Sequence, residues 1–136
     1  MSDLVRVAVD AMGGDYAPVE PVKGAVEAVN ADERVKVQLV GQVDVIEKEL
    51  QKYTYPKERV EIVPATEIIE TGEPPVNAIR HKKDSSIVVG MKKVRYGEAD
   101  AFVSSGSTGA VLVGGQTIVG PVSYTHLRAH ETTLHL

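Results

Sequence analysis

A chain of 136 residues, 43% hydrophobic and 25% charged, is long enough to bury one core and too apolar to stay disordered. Its net charge of −4 argues against a general nucleic-acid binder, and the absence of Cys removes disulfide frameworks, Cys-based zinc sites and thiol nucleophiles together. Aromatics make up only 4%, so the core falls to Val, Ile, Leu and Ala, which suits strands covered on both faces by helices.

Leu4 to Val9 reads as a buried strand that stops at Asp10-Ala-Met-Gly-Gly-Asp15, a turn with adjacent glycines. Pro18 and Pro21 suit a helix start, and Val22, Ala25, Val26 and Val29 recur at helical spacing up to Asn30. Val35 to Val40 is a second strand closed by Gly41, Asp44 to Lys52 a second helix, and Arg59 to Val63 a third strand ended by Pro64. This βαβαβ alternation predicts an α/β fold with a doubly wound, mostly parallel sheet. Glu67 to Pro75, broken by Gly72, Pro74 and Pro75, reads as a surface loop. A short helix over Val76 to Lys83 follows, then a cap at Asp84-Ser85-Ser86. The helix from Ser86 to Tyr96 should turn Ile87, Gly90, Met91 and Val94 inward, with Gly97 as its stop. Ala101 to Ser104 is the last strand, and the loops after Val9, Val63 and Val103 should open onto one crevice.

That strand runs into Ser104-Ser-Gly106-Ser107-Thr108-Gly109 and a helix of small residues. The first N–H groups of such a helix are unpaired and aimed at one spot, where an anion, phosphate above all, is favoured. Gly106 and Gly109 allow close backbone approach, while Ser104, Ser107 and Thr108 supply hydroxyls that can cap the helix or bond the same anion. A helix cap with no ligand fits these residues equally, and the spacing matches neither the P-loop nor the dinucleotide fingerprint. A local basic face is also expected between Arg80 and Gly97, where six cations stand against the single acid Asp84. No N-terminal signal or unbroken apolar span is visible, since Gly114 to Thr117 interrupts Val111 to Val119, and the cytoplasm is the default location. From about Val122 the rhythm is lost. Residues 121–136 resemble translated adapter sequence, a non-native tail behind an N-terminal α/β part of residues 1–120. The rival reading is a metal site from His126, His130 and His135, which lacks a placed carboxylate or Cys partner apart from Glu131, so no metal and no cofactor are expected.

Three segments read together carry a resemblance. Val9 to Pro18, Arg80-His-Lys-Lys-Asp84-Ser-Ser86 and Gly97 to Ala110 occur in the order found in the bacterial phosphate acyltransferases of phospholipid synthesis, and the likeness covers roughly residues 4 to 120. It implies a fold similar to the isocitrate and isopropylmalate dehydrogenases, and transfer of a fatty acyl group from acyl carrier protein to inorganic phosphate. It also implies a homodimer at the membrane surface. The family's proteins are more than twice as long, so the chain is expected to be a fragment. Three positions depart from the family's pattern: Ser107 stands where Asn is more common, Ser105 where Ala is usual, and His81 where Arg is common.

Phosphate attacking a thioester needs a fixed anion, donors for the developing oxyanion and no competing water. For that reaction Ser104, Gly106, Ser107, Thr108 and Gly109 would hold the phosphate or the oxyanion. Asp10, Gly13, Gly14 and Asp15 would shape the opposite wall, where a carboxylate could take a proton or bond the pantetheine arm. Asp15 as a plain helix cap is the alternative. Lys82 or Arg80 would neutralise the phosphate, with Asp84 orienting it and Ser85 donating a hydrogen bond; a solvated basic face is the alternative. Lys92, Lys93 and Arg95 offer a surface complementary to an acidic carrier protein. Rival functions remain: a non-catalytic phosphate or nucleotide-binding module, an inactive fragment, and a phosphate acetyltransferase using a coenzyme A thioester.

Overall fold

The structure, a computed structural model, describes residues 4–120, and the expected tail with its three histidines lies outside the described residues. Four strands, β1 (Val5–Asp10), β2 (Val35–Gly41), β3 (Val60–Pro64) and β4 (Ala101–Val103), form one sheet in the order β3-β2-β1-β4, with every pair parallel. The helices are α1 (Val19–Ala31), α2 (Val43–Leu50), α3 (Pro75–His81), α4 (Ser86–Arg95) and α5 (Thr108–Gly114), the last running on into a π-helical turn over Gly115–Val119. The predicted α/β class with its parallel sheet is what the chain adopts.

Alternation along the strands divides the core into two layers. Val37 and Leu39 turn to one face, where they pack with Val22, Val26 and Val29 of α1 and Ile46 and Leu50 of α2. Ala8, Val40 and Val63 turn to the other, against Val89 and Val94 of α4, with Phe102 of β4 beside them. Gly90 makes room for that ring: a Cβ there would overlap Phe102. A third cluster, Ile69, Ala78, Ile87, Met91 and Ala110, ties α3, α4 and α5 into one unit.

Two expectations need correction. The strands are not covered on both faces throughout: β4 packs on α4, while on the α1 face Val5 and Val103 remain 48% and 53% exposed. α1 is centred over β2, and β4 is an edge strand, so nothing among the described residues lies over that corner. The stretch Glu67 to Pro75 is more than a surface loop, because Ile69 is buried and Glu67 forms a parallel bridge with Ser85. The inward face of α4 holds the expected Ile87, Gly90 and Met91, with Val94 half-buried against the second cluster, and Ser86 and Val88 are buried beside them.

Candidate functional site

β1 and β4 are neighbours in register, Val9 opposite Val103, so the turns that follow them leave the sheet side by side. The two turns are locked together by Asp10. Its carboxylate is buried, and Oδ2 accepts the Ser104 hydroxyl at 2.7 Å while Oδ1 accepts the Met12 N–H at 3.0 Å. Oδ1 also accepts the hydroxyl of Ser86, at the start of α4, at 2.6 Å. Ser104 Oγ in turn accepts the Gly106 N–H at 3.0 Å. The fit is close: a Cβ on Gly13 would lie 2.9 Å from Gly106 N, and Gly14, at φ +96°, is held in a conformation that favours glycine.

Beyond the turn, Ser107 caps α5, its Oγ accepting the Ala110 N–H at 3.1 Å, and the side chain is buried. The N–H groups of Ser107, Thr108 and Gly109 make no hydrogen bond among the described residues, and the Thr108 side chain is exposed. Gly109 lets α3 come close, because a Cβ there would overlap the Pro75 ring. Beside the turns a groove of about 510 Å³ opens on the α1 face, with Gly13, Gly14, Ser104 and Ser105 at one end and Val7, Val9, Ala25, Val37 and Val103 along its body. Asp15 also lines it, exposed and without a hydrogen-bond or ion-pair partner among the described residues.

The remaining site candidates are arranged otherwise than the sequence suggests. The Lys82 ammonium donates to Ile68 O at 2.7 Å and is bound to the Glu73 carboxylate, and that bond from Lys82, with the Glu70 N–H, holds Glu73 below the usual carboxylate range. Asp84 is engaged with Thr66, accepting its hydroxyl at 2.6 Å and its N–H at 3.0 Å, bonds that lower its pKa. Ser85 is fully buried as the N-cap of α4, accepting the Val88 N–H at 3.2 Å. Lys82, Asp84 and Ser85 therefore fasten the α3–α4 turn to the β3 loop, and none of them is paired with Arg80. Arg80 itself is exposed with no partner among the described residues. Lys93 pairs with Glu98 at 3.1 Å and Arg95 donates to Ile118 O at 2.6 Å, leaving Lys92 as the one of the three without a partner among the described residues.

Two of the three loops expected to share a crevice do so. The β3 loop instead lines a separate cavity of about 390 Å³ with Gly41 to Val45. Ser86 is the site residue that sequence reasoning missed. Its signal was the doublet Ser85-Ser86, in which one hydroxyl caps the helix and the other is left free to reach elsewhere. Among the described residues no group of three or more His, Asp and Glu is placed to hold a metal ion.

A profile of the family described as "Fatty acid synthesis protein" matches residues 5–130. The chain belongs to this family. Among curated relatives, the phosphate acyltransferase of Halothermothrix orenii is 47% identical over 116 residues, that of Alkaliphilus oremlandii 49% over 119, and that of Clostridium beijerinckii 47% over 118. These alignments take in 85–87% of this chain and 35% of each relative, so the chain spans about a third of the length of the curated relatives it matches. Within the fatty acid synthesis protein family, the matched region contains both turns that Asp10 joins.

Proposed function

We propose that this chain supplies the phosphate-holding turns of an acyltransferase that moves a fatty acyl group from acyl carrier protein to inorganic phosphate, giving acyl-phosphate for phospholipid synthesis. The observation that carries this reading is the junction of the Gly13-Gly14 turn with the Ser104 to Gly109 turn through Asp10, beside free backbone donors and the mouth of an apolar groove. The names of the relatives support the phosphate acceptor.

In this reading the phosphate sits against the N–H groups of Ser107, Thr108 and Gly109 and the Thr108 hydroxyl, while Ser104 and Gly106, already bonded to each other, frame the turn. A phosphate oxygen attacks the thioester carbonyl carbon, the carbon–sulfur bond breaks, and the carrier's thiolate leaves and takes up a proton. Fixed donors in place before the reaction supply the stabilisation of the oxyanion. Of Arg80 and Lys82, Arg80 is the cation without a partner among the described residues and so free to approach the anion, and Asp15 is a carboxylate free to receive a proton or bond the pantetheine arm. Lys92, at the exposed end of α4, faces an acidic carrier and raises the encounter rate at low salt. The reaction runs in the cytoplasm, in a homodimeric whole enzyme that touches the membrane.

The test is to graft residues 5–120 into the Halothermothrix orenii relative in place of its matching segment and assay acyl-phosphate formation, beside the 136-residue chain alone. The folded chimera should turn over acyl carrier protein thioester faster than acyl coenzyme A, with Lys92→Glu lowering the rate and its salt dependence. No acyl-phosphate from a folded chimera, under conditions where the parent relative is active, refutes the reading. Phosphate binding without transfer would leave a binding module.

A further inference from the structure

Asp10 is 2% exposed, and no Lys, Arg or His among the described residues pairs with it. A carboxylate in that position is costly to bury unless donors replace its water, and here three do: Met12 N–H, Ser86 Oγ and Ser104 Oγ. The donors come from three places in the chain, the end of β1, the start of α4 and the end of β4. Because both serine hydroxyls point their hydrogens at Asp10, Ser104 presents a lone pair to the Gly106 N–H and closes the turn at 3.0 Å. That closure sets the direction in which the next N–H groups, those of Ser107 to Gly109, leave the turn. A neutral amide in place of the carboxylate cannot do the same, since one of its two atoms is a donor and at least one serine loses its acceptor.

We propose that Asp10 is the positioning residue of the anion turn, acting through Ser104, and that Ser86 is its support from α4. Asp10 neither touches the phosphate nor takes its proton; it fixes the geometry of the backbone donors. This inference rests on the anion-binding reading of residues 104–109.

The experiment is a titration of the 136-residue chain with inorganic phosphate, followed through the amide resonances of Ser107, Thr108 and Gly109. The unsubstituted chain should show saturable shifts at those three amides. Asp10→Asn should weaken phosphate binding at least tenfold, and Ser104→Ala and Ser86→Ala at least threefold, each measured on protein shown by circular dichroism to be fully folded. Ser104→Thr, which keeps the hydroxyl, should recover most of the affinity. The effect of Ser86→Ala is decisive, because its hydroxyl is bonded to the far oxygen of the carboxylate and reaches the turn only through it. Folded Asp10→Asn and Ser86→Ala proteins that bind phosphate within twofold of the parent overturn the proposal, as does an unsubstituted chain with no phosphate-dependent shifts. If the phosphate series behaves as expected while the grafted enzyme makes no acyl-phosphate, the proposed reaction falls and the positioning role of Asp10 stands.

Discussion

Replacing Gly13 by Ala probes the junction with a single methyl group. The new Cβ would overlap Asp10 Oδ2, the oxygen that accepts from Ser104, and would lie 2.9 Å from Gly106 N and 3.0 Å from Asp10 Cγ. Neither neighbour is the loose end of a flexible chain: one is backbone, and the other is a carboxylate held by three donors. The two turns must separate, at an overpacking cost of about 1–3 kcal/mol. Weakening the bond from Ser104 to the charged Asp10 adds about 1.5–3 kcal/mol. Gly13 is not in the left-handed region, so the stiffer unfolded chain of an Ala variant returns about 0.4–1 kcal/mol. The net loss is roughly 1.5–5.5 kcal/mol. Gly24→Ala is the control, because Gly24 is exposed on the groove side of α1 and nothing among the described residues lies within 4 Å of its Cβ, and it should stabilise by about 0.5–1 kcal/mol through helix propensity. Urea unfolding at 25 °C followed by circular dichroism reads both. A Gly13→Ala protein within 1 kcal/mol of the parent would show that the turns are not in the tight contact described.

Other substitutions test other parts of the frame. The Arg59 guanidinium donates to the carbonyls of Asp32 at 2.9 Å, Val35 at 2.8 Å and Val29 at 3.0 Å, so it holds the end of α1 to the start of β2. Arg59→Ala should cost about 2–4 kcal/mol in urea unfolding, and Lys at that position should recover less than half because it lacks the planar fork. Asp32 has its pKa lowered to about 2 by hydrogen bonds from Arg34, and Glu73, Asp84 and Asp100 are also lowered. A depressed folded-state pKa contributes stability that is fully present above the unfolded value and is lost as pH falls through the folded one. The melting temperature should therefore decline as pH drops from roughly 4.5 toward 2, only modestly because these groups face solvent. Arg34→Ala should return the Asp32 carboxyl toward its ordinary 3.8 in a carbon-detected titration, and an unmoved midpoint would exclude the Arg34 bonds as the cause.

The regular elements were legible because their signals are local. Apolar runs bounded by Gly41 and Pro64, and helical spacing from Val22 to Val29, announce themselves within a dozen residues. The glycine and serine turns at the ends of β1 and β4 were also legible, since Gly13-Gly14 and Ser104 to Gly109 have no other place in a strand–helix alternation. Which hydroxyl meets which carboxylate was not. Ser86 and Asp10 are 76 positions apart, and only the packing of α4 across β1 brings them within 2.6 Å. The basic run misled for a related reason. Its cations were weighed against the acids inside the run, yet Lys82 is answered by Glu73 and Lys93 by Glu98, both outside it. The uncovered corner of β4 was hidden as well, because composition reports how much apolar surface a chain carries and not which strand ends at an edge.

The strand order β3-β2-β1-β4 also governs timing during synthesis. The first three strands are contiguous in the chain apart from their helices, and they can pair as soon as Pro64 has left the ribosome. β1, however, must keep one side vacant for β4, and both the Arg6–Asp100 ion pair and the Asp10–Ser104 bond join residues 94 positions apart. About forty further residues must be made before that side is filled, which takes roughly 2–8 s at translation rates of 5–20 residues per second. For those seconds the nascent chain carries the open rim of a parallel strand and a buried-type carboxylate still facing water. A ribosome-bound chaperone that shields strand rims should therefore have its greatest effect on yield within that interval, and a stall placed just before Ala101 should lengthen it.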